Sequence, residues 1–208
     1  MTSHIAKTFE RVVRSQLVSY FESENLFNDS QHGFRSKRSC LSQLTRHIDN
    51  LLNNLNGLLE VDVIYLDFEK AFDKVDIGIL LEKLNKYGVK GKLLSWLSSF
   101  LTDRLQTVMV DGVPSSFAQV ISGVPQGTVL GPVLFLIYVI DLESVVKHGS
   151  SLSFADDTKI FSAIRTLLDK VHLQEDLNSI ISWADINNMS LHQDKFEVMN
   201  YTLKHTSS

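Results

Sequence analysis

An unbroken apolar stretch, VLGPVLFLIYVI, occupies residues 129 to 140 and limits the possible folds more than any other part of the sequence. A stretch of this kind must be buried, yet it is too short to span a bilayer as a helix. Gly131 and Pro132 stand near its start, so we predict a buried helix that follows them. The chain has 208 residues, of which 44% are hydrophobic, and can surround this helix with a substantial core.

The rest of the sequence mixes helical and strand-like patterns without a regular βαβ rhythm. Apolar residues at helical spacing predict amphipathic helices, which cover residues 4–21, 39–55, 77–87, 93–101 and 167–183. Runs of β-branched and aromatic residues predict strands and hairpins, which cover residues 61–68, 106–122, 151–161 and 195–201. This mixture indicates the α+β class, and the length indicates one domain, with at most a smaller satellite.

Composition excludes several classes of protein. The formal net charge is -4, so binding to nucleic acid would depend on a local basic patch rather than on overall charge. The single cysteine, Cys40, excludes an internal disulfide and a cysteine-rich zinc site, and it is typical of a reducing compartment. Because no basic and apolar leader opens the sequence, we expect an intracellular protein, nuclear or cytoplasmic.

Three aspartates lie where the pattern predicts the ends of strands. Asp67 follows the apolar strand in VIYLDF, and Asp156 and Asp157 stand side by side in the hairpin SLSFADDTKIF. Each position has an ordinary explanation, because Asp67 can begin a solvated loop and an Asp-Asp pair suits a polar turn. The alternative is a cation site, since Mg²⁺ binds carboxylate oxygens and relieves their mutual repulsion.

A strand end and a neighbouring hairpin tip can together hold two metal ions about 4 Å apart. Such a pair suits in-line phosphoryl transfer, in which one ion activates an attacking hydroxyl and the other neutralises the leaving pyrophosphate. Sequence spacing alone does not bring Asp67 to Asp156, so their meeting in space is a hypothesis drawn from the residue types.

Three motifs in a fixed order extend this hypothesis: LDFEKAFDKVD, SGVPQGTVLGPVLFLIYVIDL and FADDTKIF. They resemble the reverse transcriptase of non-LTR (LINE-type) retrotransposons, and QHGFRSKRSC before them and DKFEVMNY after them resemble that family's flanking motifs. The resemblance covers nearly the whole chain. It implies the fingers and palm of a right-hand polymerase with a small antiparallel palm sheet, two Mg²⁺ ions that Mn²⁺ can replace, and RNA-directed DNA synthesis.

The resemblance also implies roles for individual residues. Asp67 and Asp156 would hold the metal ions with Asp157 supporting them, and Lys195 would donate a proton to the leaving pyrophosphate. The substrate-binding residues would be Phe68, Phe72, Gln126, Gly127, Arg35 and Lys37. Among them, Phe72 would exclude the 2′-hydroxyl of a ribonucleotide. Taken without the motifs, Phe72 is typical of a core aromatic and Lys195 of an exposed lysine.

By the same resemblance, residues 1–59 form part of the fingers, and residues 60–208 form the palm with an inserted fingers hairpin near 105–121 and no thumb. The implied partners are an RNA template, a DNA primer and a dNTP, with no membrane, and the oligomeric state is open. Two alternatives remain: an inactive retroelement remnant that at most binds nucleic acid, and a metal-dependent nuclease that uses the same aspartates.

Overall fold

The structure is a computed structural model that describes residues 4–203, apart from the side chain of Gln193. The α-helices of this range are α1 (His4–Ser23), α2 (Cys40–Asn56), α3 (Ile77–Lys86), α4 (Gly91–Leu101), α5 (Gly131–Tyr138) and α6 (Leu167–Ile186). Its strands are β1 (Glu60–Leu66), β2 (Arg104–Gln106), β3 (Met109–Val110), β4 (Val113–Pro114), β5 (Ala118–Val120), β6 (Ser150–Phe154), β7 (Asp157–Ile164) and β8 (Glu197–Tyr201). The limits predicted for fingers and palm include residues 1–3 and 204–208, which lie outside the described residues.

Each predicted helix is present, and local residue chemistry explains several of the ends. Ser39 caps α2: its side chain accepts a hydrogen bond from the Ser42 backbone, and the Ser42 side chain accepts one from the Ser39 backbone. After α3, Gly88 adopts a φ of +92°, a conformation that costs glycine little and that ends a helix. The predicted α+β class is confirmed by this mixture of helices and antiparallel strands.

Four strands form one antiparallel sheet in the order β6-β7-β1-β8. Leu66 at the end of β1 stands opposite Thr158 near the start of β7. The strand predicted over 61–68 ends at Leu66, because Phe68 leaves the ladder and forms an isolated bridge with Leu191. The strand predicted over 195–201 begins at Glu197, because a 3₁₀ turn occupies Gln193–Lys195.

One face of the sheet belongs to the main core, which contains α5. All residues of α5 except Pro132 are buried, as the apolar stretch predicts. Ile64, Leu66 and Ile160 alternate along β1 and β7 and join the same cluster, together with residues of α1, α3, α4 and α6. Each large apolar side chain buried here stabilises the fold by about 1.5–3 kcal/mol. No helix within residues 4–203 has the length and the apolar character needed to cross a membrane.

Helix α2 packs on the opposite face of the sheet. Leu51 joins a second apolar cluster there with residues of β1, β6 and β7, and His47 lies edge-on to Phe161 with ring centroids 5.6 Å apart. The helix therefore turns only the edge of its apolar stripe toward the sheet. The centre of the stripe is exposed, and it consists of Leu41, Leu44, Ile48 and Leu52.

A polar network in the core joins α3 to α6. Lys83 Nζ lies 2.6 Å from Asp141 Oδ1 and donates to the Tyr138 carbonyl at 2.6 Å. Trp183 Nε1 donates to the same Asp141 oxygen at 2.9 Å. Burial lowers the pKa of Lys83, and the Asp141 carboxylate opposes this effect. The ammonium can therefore stay buried because it has a carboxylate beside it.

The hairpin predicted over 106–122 is present as two short strand pairs, β2 with β5 and β3 with β4. Asp111 and Gly112 at its tip have φ values of +50° and +81°, the positive values that a tight two-residue hairpin turn requires. Apolar side chains of this hairpin, including Phe117 at 73% exposure, face outward.

Candidate active site

The end of the central strand and the tip of the neighbouring hairpin bring two carboxylates together. Because Leu66 pairs with Thr158, the next residues outward, Asp67 and Asp157, stand opposite each other where the ladder ends. Both line a cleft of about 710 Å³ between the sheet and the start of α2. The residues that line this cleft are Cys40, Gln43, Tyr65, Leu66, Asp67, Phe154, Asp157, Thr158, Lys159, Asp194, Lys195 and Glu197.

The hairpin tip is held by a glutamine from the segment before α2. Gln31 Oε1 accepts hydrogen bonds from the backbone N–H groups of Ala155 and Gly33, each at 2.8 Å, and Gln31 Nε2 donates to the Ala155 carbonyl at 3.1 Å. A side chain at position 33 would collide with the Ala155 backbone, so Gly33 permits this close approach. Gln31 was not singled out by the sequence, because nothing in its neighbourhood identifies a contact with a residue so distant along the chain.

The third carboxylate, Asp156, is half-buried in the turn itself. Desolvation by burial raises the pKa of Asp156, and repulsion from Asp157 and Asp67 raises it further. Asp157 and Asp67 are thus close enough to Asp156 to disfavour its charged form. They form a local concentration of negative charge that a cation would stabilise.

Lys195 places a positive charge directly beside Asp67. Its Nζ lies 2.6 Å from Asp67 Oδ2, and this hydrogen bond raises the pKa of Lys195. The pairing is supported by the backbone, since the N–H of His192 donates to the Asp67 carbonyl at 2.8 Å. The structure therefore places Asp67, Asp157 and Lys195, three of the four residues predicted to be catalytic, in the cleft, and Asp156 in the adjoining turn.

The donor set agrees with the way Mg²⁺ binds in phosphoryl-transfer sites. Within residues 4–203, no three Asp, Glu, His or Cys side chains are close enough to form an all-protein metal cage. Mg²⁺ rarely uses such a cage, because it keeps several waters and takes one or two carboxylates plus substrate phosphates. Asp67 and Asp157 provide two carboxylates on an open cleft, so these residues fit the ion.

The glycine-rich loop of residues 122–131 packs on the turn that follows β1. The N–H of Val124 donates to the Phe72 carbonyl at 2.9 Å, and Gln126 Nε2 donates to Asp73 Oδ1 at 2.7 Å. Gly123 has a φ of +84° and lies so close to the Asp73 backbone that a Cβ atom would come within 2.8 Å of it. Gln126 and Gly127 are exposed on this loop, beside the turn that carries Phe72.

A buried glutamate on α1 holds the other end of the same loop. Glu10 is 2% exposed, and its Oε2 accepts hydrogen bonds from the backbone N–H groups of Val129 at 2.7 Å and Leu130 at 3.2 Å. The sequence did contain a signal for this residue. Glu10 falls at helical spacing with Val13 and Leu17, which are buried, and an acid in that row indicates a buried partner.

Comparison with known proteins identifies the family. The family model described as "Reverse transcriptase (RNA-dependent DNA polymerase)" matches residues 1–207. The chain belongs to the reverse transcriptase family. The predicted resemblance to non-LTR retrotransposon enzymes is confirmed by its relatives. One is the probable RNA-directed DNA polymerase from transposon X-element of Drosophila melanogaster, 30% identical over 206 residues, which are 96% of this chain and 22% of that protein.

A second relative agrees with this reverse transcriptase assignment, and a solved structure shares the fold. The RNA-directed DNA polymerase from mobile element jockey of Drosophila melanogaster is 29% identical over 92% of this chain and 22% of its own length. The chain thus spans about a fifth of these relatives. Apo telomerase from Candida tropicalis, truncated from its C-terminal domain, has the same fold, with a TM-score of 0.69 and 15% identity over 97% of this chain and 42% of that one.

The two phenylalanines predicted to bind substrate in this reverse transcriptase domain both pack against the main core. The Phe72 ring is half-buried, stacks on Phe135 with centroids 4.3 Å apart, and meets Phe34 edge-on at 6.1 Å. Phe68, predicted to bind substrate, is 3% exposed and packs edge-on against Trp183. The Phe68 side chain therefore lies in the core, where its backbone forms a bridge with Leu191 after the strand ends, and its predicted contact with substrate stays a prediction.

The two basic residues predicted to bind substrate differ in whether their charge is already paired within the domain. The Arg35 guanidinium forms two hydrogen bonds with the Glu22 carboxylate, at 3.0 and 2.6 Å, and its side chain is only 5% exposed. A contact with a triphosphate would require Arg35 to leave Glu22, and it stays a prediction. Lys37 is exposed, with a φ of +61°. Neither residue lines the cleft that contains the aspartates.

Proposed function

We propose that this reverse transcriptase domain catalyses RNA-templated DNA synthesis, in which a primer 3′-hydroxyl attacks the α-phosphate of a dNTP and pyrophosphate leaves. The observation that carries the proposal is the position of Asp67 opposite Asp157, with Asp156 in the adjoining turn. Carboxylates at a strand end and a hairpin tip, on an open cleft, are suited to hold two Mg²⁺ ions, which Mn²⁺ can replace. When bound, these ions supply activation of the hydroxyl and neutralisation of the pyrophosphate.

Lys195 has two tasks in this proposal. It balances the charge of Asp67 in the free domain, at 2.6 Å, and it moves to the pyrophosphate when substrate and metal occupy the cleft. A lysine is protonated at neutral pH, and the 60% exposed side chain of Lys195 is free to reorient. It can then protonate the leaving oxygen as a general acid.

The partners follow from the same assignment. We propose that residues 1–59 form part of the fingers and that residues 60–208 form the palm, with the hairpin near 105–121 inserted from the fingers. The substrates are an RNA template, a DNA primer and a dNTP. We propose that Arg38 and Arg46 form a local basic patch for the template phosphates; both donate to the Asp29 carbonyl, at 2.6 and 2.9 Å, and Arg38 is also paired with the Asp29 carboxylate at 2.5 Å.

The test is extension of a labelled DNA primer on an RNA template with dNTPs and Mg²⁺. We expect extension that EDTA abolishes. Binding of primer–template without any extension would instead favour the inactive remnant. Cleavage of labelled RNA in the absence of dNTP would favour the nuclease.

Phe72 gives a prediction about the choice of sugar. We expect Phe72→Val to admit ribonucleotides, because a smaller side chain beside the incoming sugar leaves room for the 2′-hydroxyl. The discrimination between dNTP and rNTP is measured as the ratio of their kcat/KM values, and it should fall by about tenfold or more. A steric penalty against the ribonucleotide that is smaller by about 1.4 kcal/mol lowers this ratio tenfold. Leu134→Val is a matched control, because it shortens a side chain in the buried α5 core. Unchanged selectivity in Phe72→Val would remove the role from Phe72.

A further inference from the structure

Lys159 lies in the cleft but has no role in the proposed reaction. It stands on β7 opposite Tyr65 of β1 and Leu152 of β6. Because side chains alternate along a strand, Lys159 shares a face with Asp157, two residues earlier and about 7 Å away along the strand. Its side chain lines the same cleft as the two carboxylates.

The burial of Lys159 is unusual because its charge lacks a counter-ion. The residue is 7% exposed, and within residues 4–203 no carboxylate lies within 4.0 Å of its Nζ. Its described charge contact is the Tyr65 ring, with Nζ 5.6 Å from the centroid. Such a contact contributes about 0.5–2 kcal/mol, whereas burying an unpaired ion costs several kcal/mol.

The other buried lysine shows what is missing. Lys83 is also 7% exposed, and it has the Asp141 carboxylate at 2.6 Å and the Tyr138 carbonyl at 2.6 Å. Where a buried ammonium has only a structural role, as in Lys83, the fold gives it a carboxylate partner. Lys159 has the Tyr65 ring near its ammonium and no carboxylate within 4.0 Å among residues 4–203, so this part of the chain leaves its charge unpaired.

We propose that Lys159 binds a phosphate group of the primer strand in the cleft, close to the reacting 3′ end. The inference rests on the proposed function, because it takes nucleic acid as the occupant of the cleft. A phosphate is the anion that such an occupant brings, and an ammonium binds it as a point charge. The first turn of α2 faces the same cleft through Cys40 and Gln43, and the positive end of a helix dipole favours the same kind of ligand. Lys159 is a binding residue in this proposal, separate from the carboxylates that carry the chemistry.

The test compares Lys159→Met with Lys159→Arg and with the control Lys92→Met. Methionine keeps the apolar stem beside Tyr65 and removes the charge, arginine keeps the charge, and Lys92 is an exposed lysine on α4 outside the cleft. Binding of the intact chain to a labelled primer–template is measured at several salt concentrations. For Lys159→Met we expect about tenfold weaker binding, and a slope of log K against log[salt] smaller in magnitude by about one. Lys159→Arg and Lys92→Met should retain the affinity and slope of the wild type.

A second readout separates a binding role from a structural one. Because Lys159→Met removes an unpaired buried charge, Tm should stay unchanged or rise while binding weakens. If Lys159→Met binds primer–template with the affinity and the salt slope of the wild type, the phosphate contact of Lys159 is overturned, while the proposed function stands. A raised KM for dNTP with an unchanged salt slope would show that Lys159 contacts the nucleotide. It would contradict the proposed contact with the primer strand. If the wild type binds no primer–template at any salt concentration, both this inference and the proposed function fail.

Discussion

Asp67→Asn is expected to reduce primer extension by about 10³-fold or more while the domain stays folded. The substitution removes the charge of one of two opposed carboxylates and keeps its size, so the cleft is preserved but its affinity for divalent ions falls. Metal ions stabilise the charge that develops in the transition state by several kcal/mol. A loss of about 4 kcal/mol corresponds to a rate that is about 10³-fold lower. The measurement is single-turnover extension at saturating primer–template and dNTP.

A matched control comes from the same strand. Asp62 also lies on β1, but it is bonded to Asn200 at 2.6 Å and lies outside the cleft, so Asp62→Asn should retain extension. Asp157→Asn should behave like Asp67→Asn, since both carboxylates line the cleft. Equal extension by Asp67→Asn and Asp62→Asn would show that Asp67 has no part in the reaction.

Asp141→Ala is expected to lower the free energy of unfolding by about 3–5 kcal/mol, the usual effect of removing one partner of a buried ion pair. Asp141 is the carboxylate beside the buried Lys83, and it also accepts from Trp183 Nε1 at 2.9 Å. Its loss leaves the ammonium uncompensated in the core between α3 and α6. Equilibrium unfolding in urea measures the change.

The double substitution Lys83→Met with Asp141→Ala tests the cause. Removing the ammonium as well should recover much of the lost stability, because an apolar side chain of similar length replaces the unpaired charge. Asp49→Ala on the exposed side of α2 is the control and should change stability by about 0.5 kcal/mol or less. A double variant as unstable as Asp141→Ala would show that the lost hydrogen bonds, rather than the stranded charge, set the effect.

Much of the fold follows from local chemistry that the sequence displays. The apolar stretch after Pro132 had to be buried, and every residue of α5 except Pro132 is buried. The Asp111-Gly112 pair marks a tight turn, and both residues have positive φ. The opposition of Asp67 and Asp157 follows from antiparallel pairing of the two segments, but the sequence supplies that pairing only through the family resemblance.

What the sequence could not supply is tertiary. Lys195 and Asp67 are 128 positions apart, and their ion pair depends on β8 lying beside β1. Arg35 has the residue type expected of a phosphate ligand, yet Glu22 on α1 binds it first. The exposed centre of the apolar stripe on α2 also depends on tertiary contacts. Periodicity predicts an apolar face, but it does not predict which part of that face a sheet will cover.

Titration with Mn²⁺, followed by the loss of the free-ion electron paramagnetic resonance signal, tests the central claim most directly. The complex contains the domain, an RNA template, a primer that ends in a dideoxynucleotide, and the next dNTP. We expect the wild type to bind about two Mn²⁺ ions tightly, the number that the carboxylates and the substrate phosphates can hold. The variant with both Asp67→Asn and Asp157→Asn should lose that tight binding. Two tightly bound ions in the double variant would contradict the account.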